Sequence, residues 1–305
     1  MADRPLVSIL INNHNYGRYL GEAIDSALAQ TYSNTEIVVV DDGSTDSSRE
    51  VIAQYGDRIR AVLKPNGGQA SAFNAGFAAS RGALVCLLDA DDIFRPHKVM
   101  RVTQTLLDQP TLGWCFDVVR TFRAHKDHVT APQSAHRSGR WDARRLVVTG
   151  RPPHVPSATS GLSFRSDILT RILPMPERIR ITSDAYLKFL ALYMSEGFVL
   201  DEELTLLRLH DSNAYTQRKS NKQRVSGQVD LLTAVSLRER WPTLEPLAVK
   251  LLAQGVAKLS RSGGMDAECD RLAGEFMRKS SPFHRLQVTT RTILWRILLR
   301  GSRAL

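Results

Sequence analysis

Asp89-Ala90-Asp91-Asp92 directly follows an apolar run, residues 83–88. In extended backbone, residues two apart point to one side, so Asp89 and Asp91 would share a side and Asp92 would face away. Carboxylates held that close repel, and a hard divalent cation shared with phosphate oxygens would relieve them. The same residues would also suit the N-terminal dipole of a helix beginning near Pro96. Their place at the end of a buried strand favours the cation. Asp41-Asp42-Gly43-Ser44 closes a second apolar run, 37–40. It reads either as a plain turn or as a carboxylate that accepts from the base or ribose of a nucleotide. Asn66-Gly67-Gly68 precedes a segment whose first turns carry Ser71 and Asn74. It reads as a plain strand-to-helix turn, or as backbone amides brought near an anion. Its spacing is that of neither a Walker loop nor a dinucleotide fingerprint.

These clusters need elements to hold them. Residues 7–11 are apolar except for Ser8, and Leu20, Ala23, Ile24, Ala27 and Leu28 recur on one helix face. Residues 36–40 predict a second strand. Ser47 with Glu50 reads as a capping box opening a helix that ends near Gly56. Residues 59–63 alternate as a third strand, 69–80 predict a helix anchored by Phe73 and Phe77, and 83–88 a strand buried on both faces. This rhythm predicts an α/β, Rossmann-like fold with a mainly parallel sheet and helices on both faces. Ligands of such sheets bind beyond the carboxyl ends of the strands. Residues 12–15, 41–42 and 89–92 all lie there. Residues 122–156, rich in His, Arg, Ser and Pro, read as a long surface excursion. From about Ser220 strand signals vanish and Leu, Ala and Val take helical spacing through 225–259. The boundary falls near Lys219, giving a catalytic domain at 1–219 and a helical C-terminal region at 220–305.

Segments 7–15, 38–46, 66–82 and 87–92 stand in the order and approximate spacing of the family 2 inverting glycosyltransferases, and residues 6–215 resemble that family. The resemblance implies the GT-A fold and transfer of a sugar from a nucleotide-diphospho-sugar donor. It implies that Asn12 and Asn15 hold the nucleotide, that Asp42 or Asp41 meets the base, and that Asp89 meets the ribose. Asp91 would bind Mg²⁺ or Mn²⁺ on the diphosphate. Gly68, Ser71 and Asn74 then join the nucleotide-sugar set. Ser183-Asp184 precedes an apolar helix where the family places its general base. The family often has Glu-Asp there, so Ser183 is a departure while the aspartate is retained. Arg208-Leu209-His210 resembles the family's Arg-x-His segment near the phosphates, with His210 beside the metal. Without the resemblance, Asp184 reads as a helix N-terminal charge and His210 as a structural histidine. Residues 158–165 resemble the acceptor-side stretch, where Ser160-Gly161 permits close backbone approach. The Gln-x-x-Arg-Trp signature of processive synthases is missing, which favours single-sugar addition.

The implied reaction is a direct displacement with inversion, Asp184 taking the acceptor proton and the metal stabilising the leaving diphosphate. A sugar-phosphate nucleotidyltransferase is the nearest alternative. It would want a basic glycine-rich loop where Asn12-Asn13-His14-Asn15 stands. An inactive nucleotide-sugar-binding scaffold subunit is the other, and Asp89, Asp91 and Asp184 speak against it.

The formal charge of +10 asks for an anionic partner. No nucleic-acid-binding module is recognisable, so no nucleic acid is expected. Cys86, Cys115 and Cys269 are widely spaced and odd in number, against a disulfide framework or thiolate zinc site. The apolar runs are too short to cross a bilayer, and the N-terminus does not read as a signal peptide, so a cytoplasmic protein is expected. Residues 276–305 hold seven Lys or Arg and no acid. On a helix Arg285, Arg296, Arg300 and Arg303 share a side, while Leu286, Ile293, Leu294, Trp295, Ile297 and Leu298 spread over much of the rest. That is the pattern of a helix lying in an anionic membrane interface, as a glycan or lipid-linked acceptor would suit. Packing on the catalytic domain, or on a second subunit of a homo-oligomer, is the alternative.

Overall fold

The computed structural model describes residues 4–122, 138–155, 157–210 and 219–301. The chain divides into two compact units, residues 1–144 with 154–210, and residues 145–153 with 211–305. Part of the predicted surface excursion, residues 145–153, goes with the helical unit.

The first unit runs β1 (Val7–Asn13), α1 (Gly17–Leu28), β2 (Thr35–Asp42), α2 (Ser48–Ala53), β3 (Arg60–Lys64), α3 (Gln69–Ala79), β4 (Leu84–Asp89), β5 (Ile93–Phe94), α4 (Lys98–Asp108), β6 (Trp114–Phe122) and β7 (Gly139–Trp141). After α5 (Arg144–Val148), most of which goes with the second unit, it resumes with β8 (Leu162–Arg165), α6 (Ser166–Ile172), α7 (Asp184–Met194) and β9 (Gly197–Arg208). The sheet order is β3-β2-β1-β4-β8-β6-β9-β5, with β7 also on β9. Strands β1 to β4 are parallel, as the continuous apolar runs of β1, β2 and β4 predict. The other half is mixed: β8 runs antiparallel to both β4 and β6, and β6 parallel to β9. The predicted excursion at 122–156 lies largely outside the described residues, and its described part holds β7 and α5.

Ile9, Ile11, Val39, Cys86 and Leu88 pack one sheet face against Leu20 and Ile24 of α1 and Val99, Val102 and Leu106 of α4. Each such aliphatic side chain contributes about 1.5–3 kcal/mol on burial. Cys86, Cys115 and Cys269 are buried free thiols. Two local expectations change. β3 is the sheet edge, so its alternation buries little and Leu63 is 54% exposed. Ser47 makes no side-chain cap. Asp46 caps instead, taking the Ser48 amide at 3.0 Å and the Gly17 amide at 2.9 Å, which ties the starts of α1 and α2 together.

Beneath the sheet's carboxyl edge lies a fully buried ion pair, Lys98 of α4 with Asp117 of β6. Lys98 Nζ also donates to the Ser160 carbonyl (2.8 Å) and Thr205 Oγ1 (2.9 Å), and Thr205 donates to Asp117 Oδ2 (2.7 Å). One buried charge pair thereby fixes α4, β6, β9 and the turn at 159–161.

The second unit is built on α8 (Lys219–Arg240), α9 (Glu245–Ser260), α10 (Ala267–Lys279) and α11 (Pro282–Gly301). The helical pattern through 225–259 is two helices, because Pro242 has no N–H to continue the first. α8 and α9 cross at glycines: a Cβ on Gly255 would stand 2.7 Å from the Gly227 carbonyl oxygen. Among the described residues no helix is long and apolar enough to cross a membrane.

Candidate active site

The register β2-β1-β4 sets Asn13 beside Asp41 and Asn12 beside Asp89, which brings the three predicted polar clusters to one sheet edge. Their surroundings differ. Asp41 is fully buried and accepts from Asn13 Nδ2 (3.0 Å), the Ser44 amide (3.2 Å) and Arg49 Nε (3.1 Å). Asp42 accepts from Lys64 Nζ (2.7 Å), the Gly67 and Gly68 amides (2.9 and 2.7 Å) and Asn66 Nδ2 (3.2 Å). Burial would raise its pKa, but the Lys64 hydrogen bond and the two amides bring it below the ordinary carboxylate value. The glycine-loop amides, expected to reach an anion, thus reach this one. Gly68 has φ +90°, and a Cβ there would lie 2.8 Å from Arg180 Cα, so only glycine lets the loop close.

Asn15, with φ +60°, accepts the Thr45 amide at 2.7 Å and so joins the loops after β1 and β2. Asn12 differs: its side-chain Nδ2 and Oδ1 are buried and, among the described residues, make no hydrogen bond. A buried amide left so costs about 1–3 kcal/mol, which a ligand's polar edge would recover. Asn74 is engaged within the protein. Its Oδ1 takes the Met175 amide (2.7 Å) and its Nδ2 donates to the Met175 carbonyl (3.0 Å), so it pins the segment before α7. Ser71 is buried under Gly67, where a Cβ would meet its Oγ at 2.5 Å.

At the end of β4 the chain turns, the Asp92 amide donating to the Asp89 carbonyl at 3.0 Å. The extended backbone assumed from sequence ends there, and Asp92 joins the carboxylate cluster instead of leaving it. Asp92 accepts from Ser160 Oγ (2.5 Å) and from the Arg208 amide (2.9 Å). Burial, then the charges of Asp91 and Asp89, push its pKa well above the carboxylate range. Asp89 is pushed up to about 8 by burial, then by Asp91 and Asp184, against hydrogen bonds from Thr159 and Gln69. Asp91 Oδ2 lies 3.0 Å from His210 Nε2, and the imidazole packs on Tyr19 with ring centres 4.5 Å apart. Arg208 is buried, sandwiched by the Tyr19 and Phe122 rings. It donates to the Asp91 carbonyl (3.0 Å) and to Glu22 Oε2 (2.7 Å), so it braces the 89–92 turn.

Asp184 opens α7, and Lys188 one turn later reaches its Oδ2 at 2.9 Å. Gln69 links this helix end to Asp89: its Oε1 takes the Ser183 amide and hydroxyl (2.9 and 3.0 Å), and its side chain hydrogen-bonds Asp89. Gln69 and Lys188 escaped the sequence reading, and Thr159 and Ser160 were placed only in the acceptor-side stretch and not beside the carboxylates. Lys188 alone left a signal there, its i+4 spacing from Asp184. Among the described residues no group of three or more His, Cys, Asp or Glu is arranged to hold a metal unaided. Asp91 with His210, beside Asp89 and Asp92 whose pKa values are raised by burial and by neighbouring carboxylates, does fit a Mg²⁺ or Mn²⁺ ion that takes its remaining ligands from substrate phosphates and water.

The sequence pattern of Glycosyl transferase family 2 matches residues 8–169, the span that carries all three strand-end clusters. The chain belongs to this family. An uncharacterized glycosyltransferase of Nostoc sp. is 36% identical over 219 residues, covering 70% of this chain and 68% of that protein. One from Rickettsia typhi is 32% identical over 213 residues, covering 68% and 65%. Each match thus spans about two thirds of the relative. Staphylococcus aureus TarS 1–349, solved with UDP-GlcNAc, superposes with a TM-score of 0.62 at 16% identity, covering 97% of this chain and 92% of that one. The mannosyltransferase PcManGT from Pyrobaculum calidifontis, solved with GDP-Man and Mn²⁺, gives 0.55 at 16% identity, covering 98% and 87%. At such identities the likeness speaks for the fold, which is GT-A. This family 2 glycosyltransferase carries Asp184, Arg208 and His210 beyond the matched span.

Proposed function

We propose that this glycosyltransferase moves one sugar from a nucleotide-diphospho-sugar to an acceptor hydroxyl, with inversion and with a divalent metal. The observation that carries the reading is the meeting of Asp89, Asp91 and Asp184 at one sheet edge, close enough that the charges of the other two raise the Asp89 pKa. Mg²⁺ or Mn²⁺ held by Asp91, with His210 beside it, would stabilise charge on the departing diphosphate.

The chain's own groups divide the remaining work. Asn12, with an unpartnered buried amide next to Asp89 in register, offers both a donor and an acceptor to the nucleotide. A carboxylate has about four lone-pair sites, and those of Asp42 already face Lys64, Gly67, Gly68 and Asn66. Recognition of a base there requires one donor to give way, and Asn66 makes the longest of the four contacts. Asp184 takes the acceptor proton, with Lys188 holding its carboxylate in place. Glycan and lipid-linked hydroxyls are the acceptor classes we favour, the latter at the cytoplasmic face of a membrane.

Incubation with a panel of nucleotide sugars and Mn²⁺ tests the reading. UDP-GlcNAc and GDP-Man, the donors in the two neighbouring structures, come first. Release of nucleoside diphosphate with an inverted anomeric product is expected. Formation of a nucleotide sugar from sugar phosphate and nucleoside triphosphate would instead mark a nucleotidyltransferase.

A further inference from the structure

Eleven large apolar side chains are exposed among the described residues, and six of them are on α11. Phe283, Leu286, Ile293, Leu294, Ile297 and Leu298 are each more than half exposed. At 100° per residue they fall within a single arc of the helix. The opposite side carries Val288 and Thr292, both buried, and the partly buried Trp295. α11 is therefore apolar on two sides, one packed within its own unit and one facing solvent. Trp295, expected from sequence in the exposed arc, belongs to the packed side.

The charge along this stretch of chain has one sign, although Glu245 reaches His284 at 3.3 Å. Residues 276–305 contain Arg278, Lys279, Arg285, Arg291, Arg296, Arg300 and Arg303 and neither Asp nor Glu. Arg285 holds the end of α10, donating to the Met277 and Ser280 carbonyls at 2.9 and 3.0 Å, and Arg296 donates to Ser260 Oγ at 2.7 Å. Both remain exposed. Ile293 also lines a cavity of about 430 Å³ with Met265, Met277, Val288 and Arg296, so apolar space adjoins the outward face.

We infer that the outward face of α11 docks on an anionic lipid surface, its apolar arc in the acyl boundary and Arg291 and Arg296, the arginines nearest the arc among the described residues, toward the headgroups. An exposed apolar arc flanked by basic residues, on a helix that cannot span, is the physical form of an interfacial helix. The basic residues select anionic over neutral lipid. A second copy of the chain suits the face less well, because pairing it with itself would bring like charges together. The inference is independent of the donor chemistry.

The test is co-sedimentation of the full chain with vesicles of phosphatidylcholine alone or mixed with phosphatidylglycerol. The protein should pellet with the anionic vesicles at low salt and remain in solution with the neutral ones. Because α11 also packs within its unit, truncation risks unfolding, and Leu294→Ser with Ile297→Ser is the cleaner variant. It should melt like the parent while its partition onto anionic vesicles drops about 100-fold. Equal binding to both vesicle types, or none to either, would overturn the inference. So would a lipid-free dimer that this variant makes monomeric.

Discussion

The ends of β2 and β4 lie on one sheet edge with β1 between them, and each carries buried carboxylates. At β2 the carboxylates are met by Lys64, Arg49 and backbone amides, and the Asp42 pKa is lowered. At β4 the charges that act on Asp89 are those of Asp91 and Asp184, and its pKa rises to about 8. Burial is common to both, so partners decide the direction. The first strand end has its carboxylates met by the protein itself, and we propose that it acts chiefly as scaffold. The second gathers carboxylates whose charges raise the Asp89 pKa, and on our proposal that is where the metal and the chemistry belong.

Removing the acceptor of the proton should break the β4 side most severely. Asp184→Asn keeps the shape of the α7 N-terminus and the Ser183–Gln69 link, but cannot take a proton. Steady-state kinetics should show kcat reduced about 10³-fold with little change in donor KM. A raised KM at normal kcat would return Asp184 to a binding role.

Asp117 sharpens the comparison from inside the core, since it is a buried carboxylate given its own cation, Lys98. Lys98→Met leaves that carboxylate uncompensated and should lower stability by about 3–5 kcal/mol in urea unfolding. Adding Asp117→Leu should recover much of the loss. No recovery would mean that Lys98 works through its bonds to Ser160 and Thr205 rather than through charge.

The two ends should also respond to pH with opposite sign. Asp89 titrates near 8 when folded and near the usual ~3.9 when unfolded. Between those values the folded chain keeps a proton that the unfolded chain has released, so metal-free stability should fall as pH rises from about 4 to 8. Asp89→Asn should flatten that slope in thermal melts. Asp42, with a lowered pKa, contributes stability that is present above its unfolded value and lost as pH falls through its folded one. Its Asn variant should lose that contribution above the unfolded value and so flatten the acid limb of the profile.

The parallel half of the sheet was readable because β1, β2 and β4 are near-continuous apolar runs, and α1, α3 and α7 keep helical spacing. The mixed half was not, since β8 is four residues long and β6 meets its partners across a stretch without a repeating rhythm. At the site, the place of Asp41, Asp42, Asp89 and Asp91 at strand ends was legible, but their partners were not. The Gly68 amide closes on Asp42 from 26 residues away, and Asn74 clasps Met175 from 101. Only the folded chain brings such pairs together. Trp295 shows the same limit, because which side of α11 faces inward is set by the helices packed against it.

The central claim is that the β4 end, and not the β2 end, takes the cation. Calorimetric titration of a nucleoside diphosphate into the protein, with and without Mn²⁺, puts this to the test in the parent, Asp91→Ala and Asp42→Asn. Mn²⁺ should strengthen affinity in the parent, lose that effect in Asp91→Ala and keep it in Asp42→Asn. An Mn²⁺ effect undiminished in Asp91→Ala, or abolished in Asp42→Asn, would contradict that claim.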